Sequence, residues 1–147
     1  MAESKRIELA FQKLPKRAQI RHRLLVEWQQ YERAKKCKEL EKERDESIKF
    51  YTRKALDKAV TEIFPALKPR HLHADDLAEQ EKYARADAIA KVDSIEQATL
   101  HAMDCQFLGK QEKLLGQEQA RVHQNAFNDK SQKGLSFPFH QGKGRKR

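Results

Sequence analysis

Residues 16–64, KRAQIRHRLLVEWQQYERAKKCKELEKERDESIKFYTRKALDKAVTEIF, run for 49 positions without a glycine or a proline. Strong helix formers dominate them, and Pro15 suits the first position of a helix because its missing N–H would have no partner there. The stretch predicts one helix over 15–64. At about 1.5 Å per residue such a helix spans roughly 73 Å, well beyond the helices of ordinary domains.

The apolar residues of this helix fall in two patches with helical spacing. Ile20, Leu24, Trp28 and Tyr31 make the first; Ile48, Tyr51, Ala55, Leu56, Ala59, Val60, Ile63 and Phe64 make the second. Each needs something to pack against, and Trp28, Tyr31, Tyr51 and Phe64 are the expected protein contacts. Between the patches lies ERAKKCKELEKERDES, residues 32–47, with six basic and six acidic side chains. Pairs four apart, Glu32 with Lys36 and Lys42 with Glu46, support a helix, and the run reads as a solvated strut. No heptad repeat is sustained along it.

FPALKPRHLH, residues 64–73, holds two prolines and predicts a hinge over 65–74. A second helix is expected from near Asp75, where Asp76 and Glu79 favour the positive end of the helix dipole. Leu77, Ala84, Ala88, Val92, Ile95 and Ala102 then recur at helical intervals. Small residues permit close helix approach, so this segment is expected to fold back antiparallel on the first. Gly109 and Gly116 leave open whether 75–128 is one helix or two. No strand pattern or repeat is present. The fold class expected is all-α and elongated: a very long N-terminal helix, a proline hinge, a second antiparallel helix and an extended tail.

The whole chain has 147 residues, 38% of them hydrophobic and 36% charged, with 31 Lys and Arg against 22 Asp and Glu, for a net charge of +9. That balance is poor in core and rich in affinity for polyanions. The charge is uneven: residues 1–23 carry +5, 66–109 carry −3, and 130–147 carry +6. Residues 1–14 read as a basic arm. Lys13, Lys16, Arg17, Arg21 and Arg23 crowd the entry to the long helix, where they suit a phosphate backbone. The tail, KSQKGLSFPFHQGKGRKR (130–147), reads as extended because glycine and proline interrupt any periodicity. In it Lys130, Lys133, Lys143, Arg145, Lys146 and Arg147 suit phosphates, while Phe137 and Phe139 can stack on bases or enter an apolar crevice.

Catalytic chemistry finds no footing in the sequence. Asp75, Asp76 and Glu79 are acids expected at a helix start, not a cation site. His71, His73, His101 and Cys105 lack the paired spacing of a zinc module. Cys37 and Cys105 have no adjacent base and no disulfide framework, and no glycine-rich phosphate loop leads into a helix. The expectation is no enzyme, no metal and no cofactor. No apolar run approaches the roughly 18 residues of a membrane span.

These features lead to a non-catalytic structural protein of a large ribonucleoprotein, first of all a ribosome, binding rRNA with its basic ends and neighbouring proteins with its helices. A mitochondrial address is suggested by a Lys-, Arg- and Leu-rich start, against which Glu3 and Glu8 count; the cytoplasm and nucleolus are the alternatives. The rival reading is a helical scaffold subunit of a respiratory-chain or cytoskeletal complex, without RNA.

Overall fold

The computed structural model describes residues 2–63 and 65–134, with side chains as far as 129. Phe64, the side chains of Lys130 and Lys133, and Phe137, Phe139, Lys143, Arg145, Lys146 and Arg147 therefore lie outside the described residues. The described chain is all helical: α1 (Ala2–Gln12), α2 (Lys16–Ile63), a 3-10 turn (Pro69–His71) and α3 (Ala74–Gly134).

The structure bears on three expectations. Most of residues 1–14, expected as a basic arm, form α1, whose Ile7 and Phe11 are buried. The spacing of these two, four apart, carries a helical face that the basic residues around it mask. Second, α3 passes through Gly109 and Gly116 without a break and ends at Gly134, beyond residue 128, so residues 130–134 belong to a helix and not to an extended tail. A Cβ at either Gly109 or Gly116 would meet nothing within 4 Å, so neither marks a turn or a close approach. Each lowers helix propensity by about 1 kcal/mol relative to alanine, a cost that a helix of 61 residues with packed neighbours can absorb.

The third concerns residues 32–47. Arg33 pairs with Asp104, with Nε to Oδ1 at 2.8 Å and Nη2 to Oδ2 at 3.2 Å, and Arg44 pairs with both Asp93 (2.7 Å) and Glu96 (2.8 Å). The run is thus one half of a helix pair in which two of its six cations, Arg33 and Arg44, meet the acidic segment after the hinge, while Lys35, Lys38, Glu41, Lys42, Glu43 and Asp45 stay exposed as a solvated run requires. Arg33–Asp104 and Arg44–Asp93 are both symmetric about the Lys68–Pro69 bond, which is the register of an antiparallel hairpin.

The chain divides into two compact units. Gln29–Gln106 form one, in which α2 and α3 bury two clusters. Ile48, Ala88 and Val92 close one, with Tyr51 and Ile89 beside them; Leu56, Val60 and Ala84 close the other, with Ala55, Leu77 and the hinge residues Leu67 and Leu72 over its end. Alanines on α3 at 84 and 88 let the helices approach closely, as their spacing predicts. In the hinge, His71 accepts a hydrogen bond from the Lys68 N–H at 3.1 Å and His73 accepts one from the Asp75 N–H at 3.4 Å, so both histidines close backbone turns.

The other unit comprises Met1–Trp28 and Phe107–Arg147. Here α1 lies against α2 and α3, and Ile7, Phe11, Ala18 and Leu115 form the core, with Ala10, Leu14, Leu108 and Leu114 around it. The Phe11 ring stacks on His22, with centroids 4.1 Å apart and planes 9° from parallel.

Candidate functional site

The turn between α1 and α2 is fixed from within. Leu14 donates its N–H to the Phe11 carbonyl at 3.0 Å, ending α1, and the Gln19 side-chain amide donates to the carbonyls of Leu14 (2.9 Å) and Gln12 (3.3 Å). Carbonyls at a helix end have no intrahelical partner, and Gln19, five residues beyond Leu14, reaches back to satisfy them. Pro15 then opens α2, its carbonyl accepting from the Ala18 and Gln19 N–H groups. This clamp sets Lys13, Lys16 and Arg17 on the outside of a rigid corner, with Arg23 one heptad beyond Lys16. All four are exposed, and among the described residues none has an ion-pair partner. Lys16, Gln19, Ile20 and Arg23 line an open groove of about 310 Å³.

Arg21, expected among the phosphate ligands, has other work. Its guanidinium pairs with Glu118, whose side chain is only 3% exposed. A carboxylate taken out of water needs a partner, and Arg21, though itself 42% exposed, supplies it from within the unit. Arg121 adds a longer ion pair to the same carboxylate, 3.7 Å away. Arg6 is likewise committed, to Glu3 and Glu112, and these two partners raise its pKa above the ordinary arginine value, hydrogen bonding to Glu112 contributing most.

The aromatic residues separate in the same way. Trp28 and Tyr31 are 58% and 59% exposed. Tyr51 is half-buried against Ile48, Ala88 and Val92, with Phe50 edge-on at 5.1 Å and the Lys91 ammonium 5.0 Å from its ring centre. Its ring packs at the α2–α3 interface and stays partly exposed. Ile20 and Leu24, which the sequence marks only as members of a patch, stand out at 39% and 53% exposure.

Among the described residues no three His, Cys, Asp or Glu side chains gather closely enough to hold a metal ion. Cys105 and His101 are neighbours on one face of α3, Sγ to Nε2 3.6 Å, and Cys37 lies half-buried with its sulfur 3.9 Å from Arg33. No helix among the described residues is long and apolar enough to cross a membrane. What the corner can do chemically is attract an anion: four cations on fixed backbone, next to apolar side chains that face solvent. The three comparisons with known proteins add nothing to this: no family model, no curated protein and no solved structure matches the chain.

Proposed function

We propose that the protein is a non-catalytic structural component of a large ribonucleoprotein, in the first place a ribosome and there the mitochondrial one, that holds rRNA with its basic ends and neighbouring proteins with its helices. The observation that carries this reading is the α1–α2 corner, where Lys13, Lys16, Arg17 and Arg23 are exposed with no internal carboxylate while Arg6, Arg21, Arg33 and Arg44 are all paired. Cations left without partners on a rigid corner suit phosphates, and the +6 of residues 130–147 adds to them.

Filter binding of the full chain to purified ribosomal RNA across a salt series tests it. Lys16→Ala, Arg17→Ala and deletion of 140–147 should each flatten the dependence of log affinity on log salt, by about 0.7–0.9 for each phosphate that is no longer neutralised. Changing Phe137 and Phe139 to alanine should weaken binding by roughly 1–3 kcal/mol per stacked ring and leave the slope alone. Slopes untouched by all three charge changes would overturn the reading. The scaffold alternative, a subunit of a respiratory-chain or cytoskeletal complex without RNA, draws its support from the outward Ile20, Leu24 and Trp28 and would then move ahead.

A further inference from the structure

Within the unit that contains the corner, α2 meets the core through Ala18, which is buried, and through His22 beneath the Phe11 ring. Two residues along an α-helix is about 200° of rotation, so Ile20 and Leu24 lie on the opposite side from that core. Trp28, one turn further, continues their row. A single exposed apolar side chain is ordinary, but three large ones at four-residue spacing, exposed by 39%, 53% and 58%, make an interaction surface.

Its rim narrows the choice of occupant. Lys16 and Arg23 stand on one flank of the row and Arg17 on the other, and the groove bounded by Lys16, Gln19, Ile20 and Arg23 runs beside it. Glu27 is the single acid within the surface. A second copy of the chain would bring the same three cations to meet these, with only Glu27 to answer them. RNA can answer the same cations, but it supplies no aliphatic row to cover Ile20, Leu24 and Trp28. A helix seam supplies both: side chains at three- and four-residue spacing fill the spaces along an i, i+4 ridge, and acids on its flanks meet the rim.

Resting on the reading of the chain as a component that holds neighbouring proteins, we propose that Ile20, Leu24 and Trp28, rimmed by Lys16, Arg17 and Arg23, are the docking site for an amphipathic helix of a partner protein with an aliphatic face and acidic flanks. Trp28 is the chain's only tryptophan, so its emission reports occupancy directly.

The test uses the full chain and two synthetic, tryptophan-free amphipathic peptides with the same leucine row, one flanked by glutamate and one by lysine. The glutamate peptide should produce a saturable blue shift of Trp28 emission that weakens as salt rises, and the lysine peptide should not. Leu24→Glu should weaken glutamate-peptide binding by about tenfold or more, and Arg23→Glu by about three- to tenfold, as loss of apolar burial and reversal of an exposed charge imply. Both positions are exposed, so far-UV circular dichroism should be unchanged. Equal binding of the two peptides, no saturable binding, or a Trp28 shift produced only by phosphatidylglycerol vesicles or only by RNA would each overturn the proposal. Filter binding to RNA by the unsubstituted full chain separates the two readings: glutamate-peptide binding without RNA binding refutes the RNA reading alone, and RNA binding without glutamate-peptide binding refutes this proposal alone.

Discussion

Replacing Phe11 with alanine should open the core that α1 closes. The ring is 1% exposed and is the largest side chain of a cluster whose other buried members are Ile7, Ala18 and Leu115. A buried phenylalanine removes roughly 150–250 Å² from water, and at about 25 cal/mol per Å² truncation to alanine forfeits most of about 4–6 kcal/mol. Loss of the 4.1 Å stack on His22 adds about 0.5–1.5 kcal/mol, while relaxation of α1 toward the gap returns part. The expected net cost is about 3–4 kcal/mol. Urea denaturation followed by Trp28 fluorescence, which reports on this unit, should show the midpoint falling by about 2–2.7 M for a slope near 1.5 kcal/mol per M. Phe127→Ala is the matched control in the same unit, since Phe127 is 60% exposed, and should cost under about 1 kcal/mol. The same result for both variants would show that α1 is not packed as described, and the basic-arm reading of residues 1–14 would return.

Gly109→Ala and Gly116→Ala should each raise stability by about 0.5–1 kcal/mol in the same assay, because a methyl group at either position meets nothing and the unfolded chain loses freedom. Arg21→Ala leaves the buried Glu118 carboxylate only its longer pair with Arg121 and should cost about 2 kcal/mol, whereas Arg17→Ala should stay within about 0.5 kcal/mol and instead flatten the salt dependence of RNA binding; the opposite result would refute this assignment of the two cations. The Tyr83 phenol, which donates to Glu79 at 3.1 Å, titrates above the ordinary tyrosine range because that hydrogen bond holds its proton. The stabilisation is therefore present at neutral pH and lost as pH rises through the raised value, and Glu79→Gln should lower the phenol's midpoint in an ultraviolet titration.

The helical class of the chain, the hinge and the antiparallel return after it are legible in the order of residues, because they depend on local quantities: the absence of glycine and proline from 16–64, their arrival at 64–73, and the alanine row that begins at Ala84. The spacing of Leu77, Ala84, Ala88 and Val92 marks a packing face, and all four contribute to the buried clusters of α2 and α3. What a side chain does once it is on a face is a different matter. Arg17 and Arg21 are both cations on the first turns of one helix and look alike in sequence; one meets solvent and the other a carboxylate nearly a hundred residues away. Tyr31 is 59% exposed while Tyr51 packs among the buried side chains of α2 and α3, and within 32–47 only Arg33 and Arg44 find partners at 93–104. The helical spacing of Ile7 and Phe11 is equally present in the sequence, but only the groove of α2 and α3 gives it something to fill. Local propensity and periodicity are properties of neighbouring residues and are written along the chain. Which cation is answered and which apolar row is covered depend on groups far apart in sequence, and those meet only when the helices have come together.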